Sequence, residues 1–196
     1  MKLILASTSP YRRALLERLG LPFDAIAPEV DETPLPGESP DALVARLSRA
    51  KSAAVAEKFT DALVIGSDQL AAVGGEILGK PGPEDRAQEQ LARLSGKRVT
   101  FLTGLCLTDA GTGAQQFELV ASPVRFRVLS AAQIADYVAR EQPLDCAGAF
   151  KSEGLGIALF ERIGGEDPNA LIGLPLIALC GMLERAGMPV LGSPDR

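Results

Sequence analysis

Histidine is absent from all 196 residues, and no other omission restricts the chemistry as much. Without an imidazole there is no Ser-His-Asp or Cys-His catalysis, no His-ligated zinc and no His general base, which leaves carboxylates, Lys, Tyr and hard oxygen-bound cations. Cysteine is scarce. Cys106, Cys146 and Cys180 are odd in number, far apart and form no CxxC pair, so they are expected to be reduced, buried thiols of a cytoplasmic protein. An excess of positive charge is missing too: 20 Lys and Arg stand against 25 Asp and Glu, a net charge of −5. That balance argues against a nucleic-acid partner, since such proteins bind through basic surface, and it requires any anionic substrate to be held by a local cationic cluster or a metal. Long apolar runs are lacking as well. Met1 to Ala6 carries no cleavage pattern, and Leu171 to Leu183 is interrupted by Pro175 and falls short of the roughly 20 residues that cross a bilayer, so no membrane is expected.

What remains is 46% hydrophobic, enough for an α/β fold expected to be one unit over residues 1–196, with 192–196 as a frayed tail. Its most informative stretch is Leu63-Val64-Ile65-Gly66-Ser67-Asp68-Gln69. Three branched or apolar residues followed by small ones and a carboxylate predict a buried strand that ends by presenting Asp68 at a sheet edge, where α/β folds place ligands. Gly79-Lys80-Pro81-Gly82 follows as a turn that holds a cation rigidly, and an acid paired with a fixed lysine suits phosphate chemistry. The stretch from Gly74 to Lys80 imitates a phosphate-binding P-loop, but Pro81 stands where that motif needs a hydroxyl, so an ordinary P-loop is excluded.

Other elements read in order. Lys2 to Ala6 predicts a first strand; Ser7-Thr8-Ser9-Pro10 turns it into a helix with Leu15, Leu16 and Leu19 inward and Gly20 as its stop. The backbone N–H groups, Ser7, Thr8 and Ser9, and Arg12 and Arg13 form a candidate anion cradle at that helix start. Phe23 to Ala27 predicts a second strand, and Asp31 and Glu32 after it are candidate ligands for a divalent cation. Ser39-Pro40 opens a long helix with Leu43, Val44, Leu47, Val55 and Phe59 inward. A Gly74-Gly75 hairpin, a helix from Pro83 to Leu94, strands over Val99–Thr108 and Gln116–Val128 forming a second lobe, a Ser130-capped helix to Arg140 and a final helix over Leu176–Ala186 complete the prediction. Asp145 to Gly156 is small and glycine-rich, a composition that lets backbone approach a ligand.

Ser7-Thr8-Ser9-Pro10-Tyr11-Arg12-Arg13, Val30-Asp31-Glu32, Arg46-Leu47-Ser48-Arg49-Ala50-Lys51, Gly66-Ser67-Asp68-Gln69, Gly79-Lys80-Pro81, Phe150-Lys151-Ser152-Glu153-Gly154 and Ile172-Gly173-Leu174-Pro175-Leu176 occur in the order seen in the Maf family of nucleotide pyrophosphatases, which the chain resembles over nearly its whole length. The resemblance implies a Maf/ITPase-like α/β fold, with a central mixed sheet flanked by helices and two lobes around a cleft. It also implies hydrolysis of a nucleoside triphosphate to monophosphate and pyrophosphate with a divalent cation, Mg, Mn or Co. Carried over by position, Asp68 is the catalytic base, Ser7, Arg12, Lys51 and Lys80 hold phosphates, and Glu32 with Asp68 serves the metal. Tyr11, Gln69 and Glu153 resemble the specificity residues of the 7-methyl-GTP branch. An aromatic ring stacks well on the cationic methylated base, and a carboxylate accepts from its N1–H and 2-amino edge. The alternatives are a dTTP or UTP pyrophosphatase of the same family, or a nucleotide-binding regulator of septum formation without catalysis. A homodimer is compatible with the resemblance.

Overall fold

The computed structural model describes residues 1–151 and 154–192. The chain runs β1 (Lys2–Ala6), α1 (Pro10–Glu17), β2 (Asp24–Ile26), α2 (Pro40–Ala56), β3 (Ala62–Val73), β4 (Glu76–Leu78), α3 (Glu84–Leu94), β5 (Arg98–Asp109), β6 (Gln115–Phe126), α4 (Ala131–Glu141), β7 (Phe160–Ile163) and α5 (Leu176–Arg185), with short 3-10 turns over Ala147–Ala149, Leu155–Leu159 and Ala170–Ile172. One mixed sheet has the order β2-β1-β3-β5-β6-β7, with β4 hydrogen-bonded to β3.

The sheet changes character along β3. Its first half pairs in parallel with β1, the last partners being Leu5 and Ile65, whereas all of its length from Leu63 to Ala72 pairs antiparallel with β5. Asp68 therefore does not lie at a strand's end. It sits in mid-strand, just past the point where β1 stops and the edge of β3 becomes free. The predicted termination fails because Gln69 to Ala72 continue the β5 ladder, a long-range pairing that no local pattern encodes. The same ladder makes the β5–β6 hairpin a continuation of the sheet that carries β1 and β3.

Alternation along β3 and β5 feeds cores on both faces. On one, Leu15 and Leu16 of α1 and Leu179, Met182 and Leu183 of α5 pack on Leu3, Leu5, Leu63 and Ile65. Farther along, Phe101, Phe126, Phe150 and Phe160 pack edge to face between the sheet and α3 and α4. Helix α2 lies across β3 and β5 at two glycines. A Cβ on Gly66 would collide with the Ser48 carbonyl oxygen, and one on Gly104 with the Ser48 hydroxyl. These bare positions let small residues of the helix touch the sheet directly.

Helix starts follow the sequence closely: Ser9, Ser39 and Ser130 accept from the backbone N–H three residues on, and Ser130 completes a capping box with Gln133. Of the cysteines, only Cys106 is buried; Cys146 and Cys180 are half-exposed. No helix among the described residues is long and apolar enough to cross a membrane.

Candidate active site

The free edge of β3, the β1–α1 loop and the loop after β2 enclose a cleft of about 470 Å³, within the range of small-molecule sites. Ser7, Tyr11, Arg12, Glu32, Lys51, Asp68, Gln69 and Lys80 all line it. Eight of the sequence-predicted site residues are thereby brought together from five separate segments. Glu153, the remaining one, and the tail at 193–196 lie outside the described residues.

Its centre is an ammonium between two carboxylates. Lys51 Nζ is 2.6 Å from Asp68 Oδ1 and 2.6 Å from Glu32 Oε1, with the lysine side chain 7% exposed. Helix α2 positions Lys51 because its close approach over Gly66 and Gly104 buries that face, and the side chain emerges where β1 has ended. Burial pushes the Glu32 carboxyl up, but the hydrogen bond and charge of Lys51, with Lys80 and Arg12 behind, outweigh it and hold Glu32 below the ordinary glutamate range.

Arg12 is set by atoms far away in sequence. Its Nε donates to the carbonyl of Gly173 at 2.9 Å and its Nη1 reaches Ser7 Oγ at 3.4 Å. Burial draws the guanidinium's pKa down, opposed by the nearby charges of Asp68 and Glu32. Gly173 has φ +121°, a conformation that only glycine holds without strain. Its carbonyl is also 2.9 Å from Ser67 Oγ, which lies 2.8 Å from Gly104 O; the one hydroxyl proton serves either acceptor. The role of the Ile172-Gly173-Leu174-Pro175 stretch, unexplained by sequence, is thus to aim the arginine.

Gln69 is likewise tethered. Its Nε2 donates toward Ala170 O at 2.8 Å, Leu171 O at 3.0 Å and Thr103 Oγ1 at 3.0 Å. With its hydrogens spent on these acceptors, the carbonyl oxygen is the group left to serve a ligand. The Glu32 loop has its own brace: Arg46 grips Glu38 through Nε–Oε1 at 2.7 Å and Nη2–Oε2 at 2.8 Å, and donates to Thr33 O at 3.0 Å. Arg46 and Glu38 were not among the predicted site residues, and the nearness of a cation and an acid eight positions apart is the signal that sequence reading passed over.

Two expected participants stand elsewhere. Asp31 is exposed and its Oδ1 accepts from the Thr33 N–H in a local turn, and Arg13 is exposed with its guanidinium over the Phe23 ring. Conversely, Asp145 and Cys146 line the cleft, where the sequence had indicated only a permissive backbone.

A divalent cation fits the donor set. Two carboxylate oxygens already converge on one cationic point, and Mg²⁺ typically takes one or two carboxylates plus substrate oxygens and water. No cluster of three or more acidic or cysteine ligands exists among the described residues, so substrate and solvent would complete the shell.

A family model described as Maf-like protein matches residues 2–186. The chain is 58% identical over 193 residues to a 7-methyl-GTP pyrophosphatase of Alkalilimnicola ehrlichii, covering 98% of this chain and 97% of that one. It is 56% identical over 189 residues to a 7-methyl-GTP pyrophosphatase of Nitrosococcus oceani, covering 96% and 95%. Among solved structures, the Ham1 protein of Staphylococcus aureus aligns with a TM-score of 0.46 and 14% identity over 64% of this chain and 72% of that one.

Proposed function

The chain belongs to the Maf-like protein family, and from that premise we propose that it hydrolyses 7-methyl-GTP to 7-methyl-GMP and pyrophosphate. The observation that carries this reading is the Asp68 carboxylate held by Lys51 at 2.6 Å in a cleft that Arg12 and Lys80 also line. In this reading Asp68 orients a water in line with the α-phosphorus and takes its proton as the new P–O bond forms. The bond from the α-phosphorus to the bridging oxygen breaks, and the leaving pyrophosphate carries the electron pair away.

Arg12, Lys51, Lys80 and Ser7 bind the phosphate oxygens and offset the charge that grows on the leaving group. Three cations here face three acids, Glu32, Asp68 and Asp145, so side chains alone leave a triphosphate's charge uncompensated. Glu32 and Asp68 would hold a divalent cation, which supplies Lewis-acid polarisation and charge neutralisation at the phosphates.

For the base, Tyr11 offers a ring to stack on the cationic methylated guanine. Gln69, with its nitrogen tied back to Ala170 and Leu171, offers a carbonyl acceptor, and Glu153 a second one, to the N1–H and 2-amino edge. This pattern of acceptors favours 7-methyl-GTP over dTTP or UTP.

The deciding experiment incubates the protein and Mg²⁺, Mn²⁺ or Co²⁺ with 7-methyl-GTP, GTP, dTTP and UTP while pyrophosphate release is followed. Highest kcat/KM on 7-methyl-GTP is expected. A preference for dTTP or UTP overturns the substrate assignment, and nucleotide binding without release under every cation overturns catalysis.

A further inference from the structure

We propose that Ser48 is a positioning residue for Asp68, fixing the carboxylate's place in the cleft through the main chain. The inference rests on the reading of Asp68 as the group that orients water. Past Ile65 the edge of β3 has lost its neighbour β1, and the N–H of Asp68 is taken there by Ser48 Oγ at 3.1 Å.

Ser48 is fully buried, and its own proton is committed to Val44 O at 2.7 Å. The hydroxyl rotor is therefore locked with a lone pair toward Asp68. Gly66 and Gly104 clear the space in which it sits, since a Cβ on either would strike Ser48. One turn on, Lys51 grips Asp68 Oδ1 at 2.6 Å. A single face of α2 thus holds Asp68 at both its backbone and its carboxylate, residues three apart on a helix being neighbours on its surface. A water-orienting acid loses about 10²-fold in rate for a displacement near 1 Å, so the backbone anchor has a kinetic consequence that ordinary packing lacks.

The helix supplies its own control. Ser52 is also fully buried on α2, donates to Arg49 O at 3.0 Å and accepts from Thr108 Oγ1 at 2.7 Å, with no hydrogen bond to Asp68 among the described contacts. Ser48→Ala and Ser52→Ala each delete one buried hydroxyl; only the first removes the acceptor of the Asp68 N–H.

The test measures kcat and KM for 7-methyl-GTP hydrolysis, thermal midpoint, and amide hydrogen exchange across β3 in both variants. Ser48→Ala is expected to lose about tenfold or more in kcat with KM unchanged, and to exchange faster at Asp68. Ser52→Ala is expected to keep wild-type kcat and Asp68 exchange despite a similar drop in midpoint. If Ser48→Ala does not fold, Ser48→Cys, a weak acceptor of near-equal shape, is read by the same measures. Equal kcat in the two variants, or wild-type exchange at Asp68 in the Ser48 variant, overturns the inference. Activity retained by Asp68→Asn overturns the underlying reading and the kinetic claim with it, whereas loss in Asp68→Asn with none in Ser48→Ala overturns the inference alone.

Discussion

Lys51 reaches Asp68 across 2.6 Å from the interior of the protein, and the same nitrogen holds Glu32 at an equal distance. One buried ammonium keeps two acids together. Lys51→Met should therefore do two things. Breaking a buried pair costs about 3–5 kcal/mol, here toward the lower end because Glu32 is 57% exposed, and calorimetry should show a lowered unfolding midpoint. The two carboxylates are then left with only the more distant charges of Arg12 and Lys80, so the free variant is expected to bind Mn²⁺ more tightly than wild type by isothermal titration, with the midpoint rising as the ion is added.

Asp68→Asn keeps the shape of the side chain and removes its charge. We expect kcat to fall by about 10²–10⁴-fold, the usual contribution of a general base, with the far-UV circular dichroism unchanged. Pyrophosphate release at saturating 7-methyl-GTP is the measurement.

Gly173→Ala tests whether the late loop sets Arg12. At φ +121° an alanine is strained by about 1–3 kcal/mol, and relaxation moves the carbonyl that accepts from Arg12 Nε. KM for the nucleotide should rise and the midpoint fall. Gly187, which also has positive φ but does not line the cleft, serves as the comparison: Gly187→Ala should lower the midpoint and leave KM alone.

The Arg46–Glu38 brace carries a pH signature. The Arg46 hydrogen bond, with the Leu35 N–H, lowers the Glu38 carboxyl from 4.5 to about 2. A depressed folded-state pKa means that the brace contributes fully above the unfolded value and is lost as pH falls through the folded one. The difference in unfolding midpoint between wild type and Glu38→Gln is thus expected to be constant above the ordinary glutamate range, to shrink below pH 4.5 and to vanish near pH 2. Thermal melts across that window check it.

Local signals made much of the architecture legible. Serines before prolines announced α1 and α2, and their side chains do cap those helices; the apolar run at Leu63–Ile65 announced a buried strand. Glu32 and Lys80 stood out in loops rich in Pro and Gly and Asp68 behind its apolar run, whereas Lys51, inside α2, was reached only through the family resemblance. What escaped was whatever depends on distant pairing. β3 continues through Asp68 because β5 supplies its ladder, β7 is a short strand that pairs with β6, and Gly173 acquires its purpose from an arginine 161 positions earlier. Ser48 stands within the Arg46–Lys51 motif, which gives it no role of its own. Its meaning required knowing that two glycines of the sheet lie beneath it.

The Arg12–Gly173 bond also orders events during synthesis. The carbonyl that aims the arginine is made 161 residues after it. A nascent chain can assemble β1, α2 and β3 well before that, but the cleft stays unfinished until the loop ahead of α5 has emerged. Contacts of such long separation are slow to form, so competence to bind nucleotide should arrive as one of the final steps of folding.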